Sequence, residues 1–466
     1  MQLQHSPRNF HLPAAGTALP SNRLDSALKF LVVTYLVGVV TLSVEQFLAL
    51  PQNLGLVDFW NMLFLPVCWW YLTRIHQTIK FPLALGMWLI FLGSLIATLF
   101  ALSPYASIIV IAKEIYLYVW FVTVTVVLAS LETKIVRRVL LAWTAVAVLH
   151  GILLVAEFVF PNFYWFMLSV LRTIGNVDSR YVGRVGGLFE DPVWAALFQL
   201  MGFVPLLLAG LRREWSLLLG MILLLSILAT ASLGALSALV GASAVAVFVL
   251  LLMGGHMKFL VWLATVLAVA AGLFLIILSQ SPDLRASLEH LTTDRAAHTA
   301  DERLGLWSGG TEALFSPKSI LGVGPNNYRD FLENKTLHND ILEFGVERGL
   351  IGLLGLILLT GEAWYNAVKV LLNEIKSGDS ARPSGVIFLA MLFAVLLESN
   401  AHQIFHFRTV WLGLAVLEAA YLRITFPSVE TTSKRVGPWS GMLQRPEKLQ
   451  HLPLTDENDS PSMETG

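Results

Sequence analysis

Cysteine is almost missing from this chain of 466 residues: Cys68 is the only one. One thiol excludes an intramolecular disulfide, a cysteine-type zinc site and an iron–sulfur cluster. Cys68 stands beside Trp69 and Trp70 in an apolar run, the usual setting of a small buried hydrophobe. Charge is scarce too. Asp, Glu, Lys and Arg make up 14% of the residues, and 31 basic against 32 acidic side chains leave a formal net charge of −1. That balance gives no electrostatic footprint for a nucleic-acid partner. P-loop, dinucleotide fingerprint, zinc motif and Gly-x-Ser-x-Gly elbow are all absent, which argues against a nucleotide-driven pump within this chain. Residues 1–26 are polar and carry prolines ahead of the first apolar run. They lack the pattern of a cleavable signal peptide, so the first span is expected to insert as an uncleaved anchor.

What is abundant is apolar surface, with 56% of residues hydrophobic. Many runs reach the roughly 18–20 residues that cross a bilayer as helix. Lipid cannot satisfy backbone N–H and C=O groups, so continuous apolar runs of this length must be helical. The expected fold class is all-α, a polytopic integral membrane protein with about twelve transmembrane helices. These are expected near 28–50, 56–73, 82–102, 107–130, 139–160, 192–211, 215–231, 233–253, 257–279, 349–372, 384–400 and 407–425. The pair 215–231 and 233–253 is divided only by a short Ala-Ser-Leu-Gly stretch.

Basic residues set the expected orientation. Arg74, Lys80, Lys134, Arg137, Arg212 and Lys258 fall on the side of the N-terminus, whereas the opposite short connections carry no Lys or Arg. By the positive-inside rule the N-terminus is cytoplasmic. The expected organisation is then a cytoplasmic tail (1–27) and a membrane domain (28–279) with a periplasmic loop at 161–191. A large periplasmic loop subdomain (280–348), C-terminal transmembrane helices (349–426) and a disordered cytoplasmic tail (427–466) follow.

The two outer loops hold the arginines Arg172, Arg180, Arg184, Arg285, Arg295, Arg303 and Arg329. A soluble cap and a phosphate-binding face both explain them, because guanidinium fits phosphate bidentately. His338 precedes an apolar span that opens at Gly349. Read as helix from Thr336, His338, Leu342, Gly345 and Gly349 share one face. A neutral imidazole there suits a general base for a sugar hydroxyl, and an ordinary interfacial hydrogen-bonding role is the competing reading. GVGPNNY (322–328) is a turn whose N–H groups can face an anion or simply close the turn. Arg303 and Trp307 are i, i+4 neighbours, able to stack together or to present a guanidinium and a sugar-binding indole. Glu398, His402 and His406 repeat every four residues. Convergence of all three on one metal needs a bend, so a polar lining of an outer cavity is the better reading. Lys113, Glu114 and Glu157 lie within spans and are assigned no chemistry.

GRVGGLFEDP (183–192), RLGLWSGG with SPKSILGVGPNNY (303–328) and HNDILEFGVERGLIGLL (338–354) resemble, in order, the O-antigen ligase and O-antigen polymerase superfamily. The resemblance implies a C-type glycosyltransferase-like membrane enzyme that moves a glycan from an undecaprenyl-diphosphate carrier at the periplasmic face of the inner membrane. It implies no nucleotide, no cofactor and, in ligases, no metal. His338 would activate the acceptor hydroxyl and Arg303 would bind diphosphate. Arg184, Arg180, Trp307, Asn326, Asn327 and Arg329 would help to hold substrate. The implied partners are the undecaprenyl-diphosphate-linked glycan, an acceptor (lipid A-core, another glycan or a protein hydroxyl), membrane lipids and polysaccharide assembly proteins. One position departs from the family pattern. In TASLGAL (230–236) Leu233 stands where the family commonly carries an arginine. Either another arginine such as Arg184 supplies that charge, or the donor differs, or activity is impaired. A non-catalytic transporter of lipid-linked glycans is the rival reading from another class.

Overall fold

A computed structural model of the chain describes residues 22–42, 55–75, 80–174, 185–189, 191–253, 295–317, 320–328, 337–377 and 383–426, with residues 77, 261, 265 and 272 besides. The tails, the expected span at 257–279, and Arg180, Arg184, Glu190, Arg285 and Arg329 lie outside them. Residues Met1–Tyr421 form one compact unit, which contains the whole site.

Among the described residues the chain is helical, without strands. The helices are α1 (Asn22–Leu42), α2 (Leu56–Arg74), α3 (Ala84–Thr98), α4 (Pro104–Ser130), α5 (Thr133–Val159), α6 (Pro161–Ile174), α7 (Pro192–Leu208), α8 (Arg213–Ala229) and α9 (Leu233–Met253). After them come α10 (Arg295–Leu314), α11 (Asp340–Ser377), α12 (Ser384–Ser399) and α13 (Arg408–Thr425). Asp25–Leu42, α4, α5 and α9 are long and apolar enough to cross a membrane, and α3, α7 and α12 are shorter apolar helices. A helix of 27 residues such as α4 is about 40 Å long, more than the roughly 30 Å hydrocarbon core. The expected break between the eighth and ninth helices is present. It falls at Thr230–Ser232, where Ala231 takes a positive φ of 50°. Two helices, α6 and α10, lie in the stretches expected as loops.

Glycine sets how closely α3 and α11 approach. A Cβ on Gly86 would come within 2.6 Å of the Leu359 backbone N, and one on Gly93 within 2.6 Å of the Gly352 N. Gly355 meets the Ile90 N at 2.7 Å in the same way. Small residues at such crossings let backbones touch, which is how helices pack in lipid without a hydrophobic drive. Polar ties hold other pairs. Asp58 of α2 accepts from Arg408 at the start of α13 (2.6 Å) and from Tyr116 of α4 (2.9 Å). Glu374 near the end of α11 accepts from the backbone N–H of Ser384 and Gly385, so a neighbouring helix supplies the cap of α12. Capping by a carboxylate satisfies donors that a helix start cannot pair internally.

Helix α11 is broken at Gly349, whose φ of 67° and ψ of −171° interrupt the helical angles. Only glycine occupies that region readily. The break receives the loop 320–328: Leu350 N donates to Ile320 O, Val323 N to Val346 O and Gly324 N to Glu347 O. A Cβ on Gly349 would press on Ile320 O at 2.5 Å.

Candidate functional site

The approach to α11 differs from the expected helix starting at Thr336. The helix begins at Asp340, and Asn339 caps it: its Oδ1 accepts from Leu342 N at 3.0 Å. A side-chain acceptor at that place offers the backbone an alternative to a further helical turn, so the helix stops there. His338 therefore lies just before the helix, in left-handed backbone with φ 49°, and not on the helical face with Leu342 and Gly345. A non-glycine residue there costs on the order of 1–3 kcal/mol and is held by its surroundings. The His338 ring stands edge-to-face against His402, with ring centroids 6.2 Å apart and planes at 77°.

His402 follows the end of α12. Its Nδ1 lies 2.7 Å from Glu398 Oε1, one helical turn back, and its Nε2 lies 3.2 Å from Arg303 Nη2 on α10. Guanidinium can only donate. With Arg303 in this position Nε2 must accept, so the imidazole proton sits on Nδ1 and points at the Glu398 carboxylate. The three side chains form a directed chain: Arg303 donates to His402, which donates to Glu398. Glu398 is fully buried, its Oε2 has no hydrogen-bond partner among the described residues, and a Cβ on Gly234 of α9 would stand 2.8 Å from that oxygen. Arg303 and His402 are half-buried. Trp307, one turn along α10 from Arg303, is half-buried, and its indole N–H has no partner among the described residues.

These side chains come from three separate stretches, and two of the stretches lie in a region with known relatives. Residues 218–357 match the family model described as O-antigen ligase. Over that stretch the chain is similar to the O-antigen ligase family. Family members are glycosyltransferase-type ligases or polymerases. No curated protein matches the chain. The O-antigen ligase region contains Arg303, Trp307 and His338, whereas Glu398 and His402 come from beyond it and complete the cluster through tertiary contact.

Within the O-antigen ligase region the GVGPNNY turn is a latch. Asn327 is fully buried. Its Oδ1 accepts from Ser103 N (2.7 Å), and its Nδ2 donates to Ser107 Oγ and Pro325 O (2.9 Å each). These bonds pin the turn to the α3–α4 connection. Asn326, at φ 62°, is exposed, and its N–H donates to the chain's own Glu347, whose Oε1 is 2.6 Å away. Neither asparagine joins the His338 cluster through these bonds.

A second charged group lies beneath that latch. Arg348 is fully buried, pairs with Glu114 of α4, and donates to Glu347 Oε2 at 3.0 Å. Its guanidinium also covers the Phe344 ring at 4.0 Å. Glu114 thus has its partner on a helix 234 residues away in the chain. His406 approaches Glu343 at 3.7 Å, and Ile404 N donates to Asp340 Oδ2 at 2.9 Å. Asp340 stands ahead of the apolar stretch that follows Gly349. Burial first, and then the charge of Glu343, raise its pKa from an ordinary 3.8 to about 8.

Gly187 and Leu188 of the GRVGGLFEDP segment are anchored by Glu157 and His150 of α5. Gly187 N donates to Glu157 Oε2 at 3.0 Å, and Leu188 N to His150 Nε2 at 3.2 Å. Asp191 caps α7 through Val193 N. Glu157 therefore has a structural partner, which its place in a span did not disclose.

In the sequence Glu398 and His402 belong to an i, i+4, i+8 series with His406, read as the polar lining of an outer cavity. The signal that could have singled them out is a carboxylate one turn before a histidine at the end of an apolar helix. Leu233, where an arginine was expected from the resemblance, is exposed at the start of α9, and its neighbour Gly234 abuts Glu398.

Proposed function

We propose that this protein transfers a glycan from an undecaprenyl-diphosphate carrier to an acceptor hydroxyl at the periplasmic face of the inner membrane, during surface polysaccharide assembly. His338 is the general base and Arg303 binds the diphosphate. The observation that carries the reading is the convergence of His338 and Arg303 on one imidazole, His402, from elements on either side of the latch loop. The strained backbone at His338 supports it, since such strain collects where a side chain must be aimed.

In this reaction the acceptor oxygen forms a bond to the anomeric carbon of the glycan as the bond from that carbon to the diphosphate oxygen breaks. The acceptor proton passes to His338. Negative charge grows on the departing diphosphate, where the Arg303 guanidinium offsets it in the transition state. Trp307 offers an indole face and an unpartnered N–H one turn from Arg303, suited to a sugar. Arg180, Arg184 and Arg329 are candidates for further diphosphate contacts. Neither nucleotide nor metal is required by this chemistry, because the diphosphate is itself the leaving group. The distribution of Lys and Arg supports a periplasmic position for the cluster.

The test is the surface-glycan profile of a strain lacking the gene, complemented with wild type, His338→Ala or Arg303→Ala at matched membrane levels. Wild type alone should restore the glycan. Carrier-linked long chains accumulating in the variants identify a ligase, and single repeats identify a polymerase. Normal glycan made by the His338→Ala protein would remove the base from the mechanism and favour transport without catalysis.

A further inference from the structure

We propose that His402, held by Glu398, is a positioning residue that aims the Arg303 guanidinium at the donor diphosphate. The inference rests on the reading of Arg303 as the diphosphate-binding group.

Three observations carry it. First, the hydrogen-bond direction is set throughout: Arg303 Nη2 donates to His402 Nε2 at 3.2 Å, and His402 Nδ1 donates to Glu398 Oε1 at 2.7 Å. Guanidinium is planar and rigid, so fixing one of its N–H groups constrains the direction of the whole fork. Second, the support is itself fixed. Glu398 is fully buried, and the His402 backbone N–H returns to Glu398 O at 2.8 Å, which leaves the imidazole little freedom. Third, the neighbouring helix leaves room for this pair and nothing larger. A Cβ on Gly234 would stand 2.8 and 2.9 Å from the two Glu398 oxygens and 3.1 Å from His402 Cε1. A buried carboxylate orienting an imidazole through its other nitrogen is a recurrent way of setting a tautomer. Here the oriented nitrogen faces a cation of the site.

The arrangement also separates two tasks. His338 touches the same imidazole through its ring edge, with centroids 6.2 Å apart, so one support sets the spacing between base and diphosphate group. A shift of about 1 Å in such spacing is enough to cost on the order of a hundredfold in rate.

The experiment measures binding of undecaprenyl diphosphate, without glycan, to the full-length protein in lipid nanodiscs, alongside the donor and acceptor KM of the transfer reaction. His402→Ala is expected to weaken carrier binding about tenfold, the scale of one charge-assisted hydrogen bond, and to raise the donor KM with little effect on the acceptor KM. His402→Gln places an amide oxygen near the Nε2 position and is expected to recover most of that loss. Gly234→Ala, which removes no polar group, is expected to weaken binding by displacing the Glu398 carboxylate. In an Arg303→Ala background, His402→Ala should add nothing, the mark of two residues acting as one.

If wild type and Arg303→Ala bind the carrier equally, the diphosphate role of Arg303 fails and this inference falls with it. If Arg303→Ala loses binding but His402→Ala binds like wild type, the inference alone is overturned. Equal losses in His402→Ala and His402→Gln, or an additive effect in the double variant, would also overturn it, by reducing His402 to a packing element.

Discussion

Two clusters of the same residue types, an arginine with histidine and glutamate around it, lie on either side of the turn that leads into α11. In one, Arg303 and His402 are half-buried and only Glu398 is sealed. In the other, Arg348 is fully buried and bonded to Glu114 and Glu347, with the Phe344 ring against it. The difference lies in what each arginine has left to offer. A guanidinium enclosed by carboxylates and an aromatic ring is a structural member, since burying its charge is tolerable only with those partners in place. A half-buried guanidinium bonded to an imidazole is not locked between carboxylates in this way. Residue type does not distinguish the two clusters; burial and partner charge do.

The comparison can be broken most forcefully at the closed cluster. Arg348→Ala leaves Glu114 buried without its cation and Glu347 with only the Asn326 N–H, a loss of about 3–5 kcal/mol. The expected outcome is little folded protein, read as a collapse of the monodisperse peak in detergent. A variant that purified and melted like wild type would show that the closed cluster is not structural.

The open cluster should behave in the opposite way. Arg303→Ala is expected to leave the melting temperature close to wild type while lowering transfer by about 10²–10³-fold, the usual consequence of removing one group that stabilises developing charge. His338→Ala should lower it by about 10²–10⁴-fold. A fall in melting temperature that accounted for the lost activity would merge the two clusters into one structural class.

A smaller effect concerns pH. The folded state raises the pKa of Asp340 from 3.8 to about 8, so between these values the folded protein holds a proton that the unfolded chain releases. Stability therefore falls as pH rises through that window. Asp340→Asn should flatten the slope, measured as melting temperature against pH from 5 to about 8.5. An unchanged slope would assign it to another group.

The smallest expected change is at the cap between the clusters. Asn339→Ala should cost about 1 kcal/mol. Because the cap stops the helix short of His338, the variant should lose more activity than that stability change explains. Thermal melts paired with transfer rates check this, and parallel losses would make the cap merely structural.

Much of this was legible in advance, for identifiable reasons. The helices α2, α4, α7, α9 and α12 could be placed from apolar runs because lipid admits few alternatives for such runs. Arg303 and His338 stood out because their surrounding residues resemble a family. His338 was nevertheless placed on a helical face, since apolar periodicity does not register a cap such as Asn339. Asn327 looked available for substrate and is instead enclosed by Ser103 and Ser107, residues more than 200 positions earlier. Glu114 looked like a misplaced charge until Arg348 supplied its partner.

The sequence by itself determined the helical class, the spans apolar enough to cross a membrane and the resemblance to a family, because each rests on local composition or on motifs contiguous in the chain. Only the tertiary structure decided which arginine is fully enclosed and which is half-buried. It also decided that His402 stands between Arg303 and Glu398, and that a glycine on α9 leaves room for that pair. These depend on contacts between segments far apart in the chain, where burial and partner charge are set by packing and have no local pattern to read.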